Sequence, residues 1–217
     1  MCNRYGHWAS VSLLRALSEA MGYGLQTTPQ TDNLPARGDV YPDQDAPILR
    51  RAASGDGLEL ASLRWGFPPI AKGKAPITNI RNLQSRWWRD VNRPYLLEPE
   101  YRCLVPFSAF AEPVRDPTWF AVPDKEVAFF AGIWRPWQGE RLAPVPGKKR
   151  RSRQAADWSL FAFLTTEANR IVQPVHEKAM PVILHQTEAC QAWLEGGEES
   201  LRLQRPLPEN ELQVVEI

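Results

Sequence analysis

Apolar residues recur at helical spacing near the start of the chain and at strand spacing through most of the rest. After Ser10, apolar side chains return every three or four positions as far as Met21, and Gly22 follows as a typical helix-ending residue. This pattern predicts an amphipathic helix over residues 10–21. Shorter helices are predicted over three other stretches, which are residues 80–92, 166–173 and 187–195.

The remaining apolar runs are short and rich in β-branched and aromatic residues, which is typical of strands. Between them, residues 22–46 and 66–79 are rich in Pro, Gly and polar residues and predict loops. Residues 135–157 predict a polar, basic excursion. The predicted strands cover residues 2–7, 47–51, 58–65, 101–106, 118–122, 127–134, 158–165 and 180–184.

These elements predict a single α+β domain over residues 1–217. Its 20 prolines argue against a simple helical bundle. Mixed strands, a few short helices and long loops favour one strongly curved mixed sheet, mostly antiparallel, that forms a distorted barrel. Variable insertions are expected at about residues 22–46 and 136–157.

Composition narrows the possible partners. The formal net charge is +1, so a nucleic-acid site has to be a local patch. The cysteines at positions 2, 103 and 190 lack C-x-x-C spacing, so we expect no disulfide framework, no metal and no organic cofactor. No stretch has the length and apolarity of a membrane span or a secretory signal. We therefore expect a monomer in the reducing cytoplasm, with no membrane partner.

Cys2 carries the most distinctive chemistry in the sequence. Its small side chain permits removal of the initiator methionine, which leaves an α-amine and a thiol on one residue. Their ordinary pKa values are about 7.7–8.0 and about 8.5, so both groups react near neutral pH. Such an aminothiol condenses with an aldehyde to an imine, and the thiol then closes a thiazolidine ring. The ordinary alternative is that position 2 simply holds a small residue.

Four segments of the chain occur in an order that resembles a known family. They are MCNRY at the N-terminus, TNIR at 78–81, CLVP…FAE from Cys103 to Glu112, and TTEAN…VHEKAMPVIL from Thr165 to Leu184. WGF at 65–67 and FFAGIW at 129–134 fall in the same order. Together these segments resemble the SOS-response-associated peptidase (SRAP) family over nearly the whole chain, with residues 10–37 and 136–157 as the variable parts.

The resemblance implies a sensor of abasic sites in single-stranded DNA. SRAP proteins trap the open-chain aldehyde of the lesion as a thiazolidine with an N-terminal cysteine, which protects the lesion from strand cleavage during the damage response. Some members also remove residues ahead of that cysteine, which explains the peptidase name, and abasic-site lyase activity is implied as well.

The same resemblance assigns roles to residues of this chain. Cys2 matches the crosslinking nucleophile, and Asn79 matches the asparagine that holds the cysteine and the sugar. Glu112 matches the acidic residue beside the α-amine, His176 the histidine beside the opened sugar, and Arg81 an arginine that binds phosphate. A carboxylate or imidazole near its pKa can move the protons of imine formation, and an amide fixes geometry without charge.

Taken singly, these side chains have ordinary structural interpretations. Glu112 can be an ordinary surface carboxylate, and His176 can be a packed structural histidine. Asn79 can be an ordinary turn residue. His7 and His185 keep the structural interpretation.

The DNA contacts have competing interpretations too. Arg4, Arg81, Arg86 and Arg89 are candidates to neutralise phosphates, and Trp65 is a candidate to stack on a base. Trp87 and Trp88 are further stacking candidates. The alternative for any of the tryptophans is core packing. The basic run from Lys148 to Arg153 suits a solvated loop or a DNA clamp.

Departures from the family pattern concern the details of the site. Asn3 stands where a glycine is usual, and Pro113 follows Glu112 in place of tryptophan. Two other functions stay open. One is an N-terminal-nucleophile hydrolase in which the Cys2 thiolate attacks a peptide or amide carbonyl. The other is a non-catalytic module that binds single-stranded DNA.

Overall fold

The computed structural model describes residues 2–32, 34, 37–69, 74–113, 116–143 and 152–217. Three α-helices lie among them: α1 (Val11–Ala20), α2 (Arg93–Leu97) and α3 (Thr187–Glu195). A π-helical turn spans Trp87–Val91, and 3₁₀ turns span Pro99–Tyr101, Glu199–Leu203 and Glu209–Glu211. The strands are β1 (Tyr5–His7), β2 (Leu25–Gln26), β3 (Arg37–Val40), β4 (Asp45–Arg51), β5 (Leu58–Trp65), β6 (Asn79–Ile80), β7 (Arg102–Phe107), β8 (Ala109–Glu112), β9 (Thr118–Ala121), β10 (Ala128–Ala143), β11 (Ser152–Thr166), β12 (Met180–Pro181), β13 (Ile183–Leu184) and β14 (Gln213–Val215).

Five strands close into a barrel. Around the ring, β4 pairs with β5 and β7, β7 with β10, and β10 with β11, all antiparallel. The ring closes where β11 pairs with β5 in parallel. Five strands cannot alternate in direction all the way round a ring, so one junction has to be parallel. The predicted mixed, mostly antiparallel, strongly curved sheet in an α+β fold is confirmed.

A second sheet of five strands lies against the barrel, in the order β14-β9-β8-β1-β3. Its strands pair antiparallel, and β1 lies between β8 and β3. Gly6 lies opposite Ala109 on one side and Asp39 on the other. This sheet carries the start of the chain, so it decides where Cys2 lies.

Aromatic rings fill the barrel. Phe107 and Phe130 stack with ring centroids 3.9 Å apart, and Phe130 lies 4.5 Å from Phe163. Trp65 stacks on Phe163 at 5.2 Å and has no exposed surface. Tyr5 of the second sheet inserts its ring edge-on between Trp65 at 5.1 Å and Phe130 at 5.5 Å. The two sheets therefore share one aromatic core.

Helices cover the outer face of the barrel. Ser10 caps α1 by accepting a hydrogen bond from the Leu13 amide, and the helix buries Leu14. In α3, the Trp193 indole donates to the carbonyl oxygens of Cys103 and Gly132, each at 3.0 Å, which fastens the helix to β7 and β10. Among the described residues no helix has the length and apolarity to cross a membrane.

Four stretches differ from their prediction. Residues 22–46 contain β2 and β3 as well as loop. Residues 135–157 belong largely to a long hairpin, because β10 and β11 continue to pair beyond the barrel as far as Ala143 and Ser152. We call this extension, residues 135–143 and 152–159, the arm.

Within residues 166–173 no helix forms, because Thr166 ends β11 and turns begin at Arg170. The Asn169 side chain accepts hydrogen bonds from the amides of Ile171 and Val172, which offers the backbone an alternative to helical bonding. The predicted helix over residues 80–92 narrows to the π-helical turn Trp87–Val91.

Gly132→Ala is expected to lower the free energy of unfolding by about 1–3 kcal/mol. An added Cβ would lie 2.7 Å from the Cys103 sulfur and 2.8 Å from a methyl group of Val105, inside the closed barrel. Gly24→Ala is the matched control, since nothing lies within 4 Å of its added Cβ. Denaturant unfolding of both variants tests this, and equal midpoints would contradict the tight packing.

Candidate active site

The position of Cys2 follows from the strand that begins three residues later. Tyr5 faces inward and fills the barrel mouth, and the Arg4 carbonyl accepts a hydrogen bond from the Ala111 amide. The thiol of Cys2 turns back toward the Arg4 carbonyl oxygen, 3.5 Å away. Cys2 is fully buried and packs in the same cluster as Tyr5.

Asn79 holds the main chain of Cys2. It lies on β6, which pairs with β11 so that Asn79 faces Phe163. Its side-chain amide donates to the Cys2 carbonyl oxygen at 2.9 Å and to the Thr78 hydroxyl at 2.7 Å. The carbonyl oxygen of the same side chain is buried and has no hydrogen-bond partner within the described part of the chain. The NH₂ group of the Asn79 side chain thus has its hydrogen-bond partners, and its carbonyl oxygen remains as an acceptor at the site.

Glu112 ends β8 and is buried with an exposed fraction of only 2 %. Burial raises the pKa of the Glu112 carboxyl, while the N-terminal ammonium group and His176 oppose that rise. A carboxyl shifted in this direction can exchange a proton closer to neutral pH than an exposed one.

Cys2 and Glu112 influence each other. Burial, together with the charge of Glu112, raises the pKa of the Cys2 thiol far above its ordinary value, although the Arg4 backbone contact acts in the opposite direction. The thiol is therefore protonated at neutral pH. It is a weaker nucleophile than a thiolate until its proton is removed.

His176 lies half-buried in the turn that precedes β12. Its Nδ1 accepts a hydrogen bond from the Ala179 amide at 3.1 Å. Because an acceptor nitrogen carries no hydrogen, the neutral imidazole holds its proton on Nε2. Since the charge of His176 also lowers the pKa of Glu112, imidazole and carboxyl belong to one electrostatic site. The structure thus brings Cys2, Asn79, Glu112 and His176 together.

Two of the predicted DNA-binding arginines lie next to this group. Arg4 forms an ion pair with Asp39, and its guanidinium lies 4.7 Å from the Trp119 ring, with 21 % of the side chain exposed. Arg81 is exposed and donates to the Lys178 carbonyl oxygen, two residues beyond His176. Arg81 is therefore the less compensated charge of the two.

The other candidates lie elsewhere. Arg86 and Arg89 are exposed beside Asp90 around the π-helical turn, and no described contact joins them to Cys2. Trp65 is a core residue whose indole donates to the Thr78 carbonyl oxygen, so its predicted stacking on a base does not fit this fold. Trp88 is also buried, against Phe67. Lys148 to Arg151 of the basic run lie outside the described residues.

Sequence reasoning overlooked two residues that build the site. Thr78 donates to the Asn3 side chain at 3.4 Å and accepts from Asn79, so it links the N-terminal segment to β6. Asn3, the departure from glycine, is thereby oriented toward Thr78. Tyr5 fixes the strand behind Cys2. Thr78 stands directly before Asn79 in TNIR, and this position next to a candidate site residue is the sequence feature that points to it.

Comparison with known proteins identifies the family. A sequence model described as SOS response associated peptidase (SRAP) matches residues 1–217, the whole chain. The chain belongs to the SRAP family. Membership indicates a role in the SOS response to DNA damage, interaction with DNA, and a peptidase-like or DNA-processing activity. Among curated proteins no match was found.

Solved structures share the SRAP fold of this chain at low sequence identity. A protein from Bordetella bronchiseptica aligns with a TM-score of 0.71 and 21 % identity over 100 % of both chains. A protein from Bacteroides thetaiotaomicron aligns with a TM-score of 0.69 and 18 % identity over 99 % of this chain and 92 % of its own. A phage-related protein from Bordetella bronchiseptica aligns with a TM-score of 0.62 and 18 % identity over 100 % of this chain and 94 % of its own. These likenesses support the fold.

His7, on the same strand that follows Cys2, makes stability depend on pH. Burial lowers the pKa of His7 to about 4, whereas the unfolded chain binds a proton at this residue below about pH 6.5. The free energy of unfolding should therefore be unaffected by His7 above that pH and fall by roughly 3 kcal/mol as the pH drops to about 4. Denaturant unfolding of wild type and His7→Gln across this range tests it. An unchanged pH dependence in the variant would contradict a neutral, buried His7.

Proposed function

We propose that this SRAP protein traps abasic sites in single-stranded DNA as a thiazolidine on Cys2, after removal of Met1. The observation that supports the proposal best is the pairing of Cys2 with a buried carboxyl. Asn79 holds the Cys2 carbonyl at 2.9 Å, and Glu112 lies close enough for its charge to raise the pKa of the thiol. An amine and a thiol on one residue, with a proton-exchanging group beside them, suit an aldehyde.

The reaction begins with the α-amine. Its nitrogen attacks the aldehyde carbon of the opened sugar, and the carbonyl oxygen gains a proton to give a carbinolamine. Loss of one water gives the imine. The sulfur then bonds to the imine carbon while the thiol proton passes to the imine nitrogen, which closes the five-membered ring. The protein gains the mass of the DNA less one water.

Glu112 and His176 serve the proton transfers of this sequence. Because Nδ1 accepts a hydrogen bond from the Ala179 amide, His176 presents its Nε2 proton, which suits donation to the ring oxygen as the sugar opens. Glu112, with its raised pKa, takes a proton from the amine and returns it to the departing water. The buried acceptor oxygen of Asn79 is available to a hydroxyl or amine of the intermediate.

The DNA strand approaches from the exposed side of this group. Arg81 and Arg4 are the proposed phosphate contacts, because both guanidinium groups lie on segments that touch the site. Arg86 and Arg89 remain more distant candidates. We propose a monomer that acts in the cytoplasm without a cofactor.

The hydrolase alternative depends on a thiolate. The raised pKa of the Cys2 thiol weighs against a standing thiolate, whereas the crosslink uses the amine first. The non-catalytic alternative gives no account of a carboxyl buried beside the N-terminus.

Cys2→Ala is expected to abolish a covalent adduct with an oligonucleotide that carries one abasic site. Wild type should give a heat-stable shifted band on a denaturing gel, and an intact mass equal to protein plus oligonucleotide less water. Cys103→Ala is the matched control, since it removes another buried thiol that lies in the barrel. Absence of the band in wild type whose mature N-terminus is confirmed as Cys2 would overturn the proposal and favour the hydrolase.

Glu112→Gln is expected to slow adduct formation about 10²-fold or more, because an amide of similar size cannot exchange the proton. Single-turnover rates between pH 5 and 9 provide the measurement. The wild-type rate should depend on the protonation of Glu112 and the variant should lose that dependence. Glu126→Gln, at an exposed position, is the control. A variant with the wild-type rate would exclude Glu112 as the proton carrier.

A further inference from the structure

A cavity beside the arm carries charge that the crosslinking site does not use. Its volume is about 390 Å³, which lies in the range of pockets that hold organic ligands. Pro68, Pro69 and Pro76 form one wall, and Trp137 of the arm forms part of the other. Lys74, Arg141 and Arg153 bring positive charge to the rim, against Asp43 and Glu140.

The positive charge of this cavity exceeds the negative charge. Three cationic side chains and two carboxylates line the cavity. The Asp43 carboxylate faces two guanidinium groups, of Arg64 at 2.7 Å and of Arg141 at 2.6 Å, and Asp45 also acts on Arg141, so these four charges balance one another. The exposed side chains of Lys74 and Arg153 form no ion pair with any other residue that the structure describes. Two cations without a fixed partner beside a balanced cluster suit a polyanion.

Trp137 is held in place as a wall by the local backbone. Its ring lies across Gly139, where an added Cβ would be 2.3 Å from the ring. On the neighbouring strand Trp158 lies opposite Trp137 and donates to the Gly139 carbonyl oxygen at 2.9 Å. The Arg64 guanidinium covers the Trp158 ring at 5.0 Å. These contacts fix the Trp137 ring on the arm, where it lines the cavity.

The cavity connects to the crosslinking site through one segment of chain. Pro76 lines the cavity and also lies against Gly66, as Thr78 does from the other side. Thr78 in turn contacts Asn3 and Asn79. Along β11, Trp158, which lies opposite Trp137 of the cavity, precedes Phe163, the partner of Asn79, by five residues, or about 17 Å of strand. Arg153 precedes Phe163 by ten residues, or about 33 Å of strand. A strand of nucleic acid that leaves the site can therefore reach Trp137 within a few nucleotides, and Arg153 after several more.

We propose that this cavity is a second contact for the same single strand, in which Lys74 and Arg153 bind phosphates several nucleotides from the lesion. The proposal rests on the proposed function for its choice of ligand. The one aromatic ring among separated cations, and the connection through Pro76 and Thr78, favour a continuous strand over a free nucleotide.

The test compares two pairs of charge-removing substitutions. Lys74→Gln/Arg153→Gln removes the proposed phosphate contacts, and Lys125→Gln/Arg202→Gln removes the same charge from exposed positions outside the cavity. Binding of an unmodified 20-nucleotide single strand is measured by fluorescence anisotropy, in the Cys2→Ala background, as a function of salt. Because no crosslink can form in this background, the result does not depend on whether the crosslinking chemistry is correct.

The cavity variant should bind the long strand about tenfold more weakly than the control variant, with a salt dependence lower by about 1.4 for two phosphates. With Cys2 present, both variants should crosslink a six-nucleotide abasic strand at the wild-type rate, since it is too short to reach the cavity. Equal binding of the long strand by the two variants would overturn the proposal. An equal loss of function by the cavity variant on the short and the long strand would also overturn it. Displacement of the long strand from the cavity by a free mononucleotide would do the same.

Discussion

The seating of Tyr5 in the barrel mouth is the contact on which the candidate site depends. The ring meets Trp65, Phe130 and Phe163 edge-on, all within 6.3 Å between centroids, and it has no exposed surface. A side chain of this size can occupy such a packed position in only one register of β1. Since Cys2 lies three residues earlier, the aromatic core of the barrel fixes the residue proposed to react. Rigid support of this kind is what a site needs if several groups are to meet one small electrophile.

The same core imposes an energetic cost on the site. Glu112 and the Cys2 thiol lie at the end of the second sheet where little water reaches them, so desolvation raises the pKa of both. A buried carboxyl without full compensation destabilises the fold, and the N-terminal ammonium group and His176 offset part of that cost. The buried groups of the proposed site thus lower the stability of the fold. The aromatic cluster of the barrel and the Trp193 hydrogen bonds stabilise the fold elsewhere.

The sequence predicted the elements whose pattern is local and missed those decided by contacts. Apolar spacing located α1 and the barrel strands, and ordered motifs identified the four central residues. The arm was missed because its residues are mostly polar and show no alternation of apolar and polar positions, so its strands gain their order from pairing with each other and from the packing of Trp137 on Gly139. The helix over residues 166–173 failed because the Asn169 side chain competes for backbone amides. The burial of Trp65 and the role of Tyr5 depend on barrel closure, which no local pattern contains.

Burial of the thiol also orders the steps of the proposed reaction. A thiol with a strongly raised pKa does not attack an aldehyde at an appreciable rate, whereas a free α-amine has an ordinary pKa of about 7.7–8.0. The amine therefore reacts first, and the imine that forms is a better electrophile on the same residue as the sulfur, where one new S–C bond closes a five-membered ring. Glu112, having given up its proton to the departing water, is then a carboxylate beside the thiol and can remove its proton. The environment that makes Cys2 a poor thiolate nucleophile thus favours ring closure over attack on unrelated carbonyl groups.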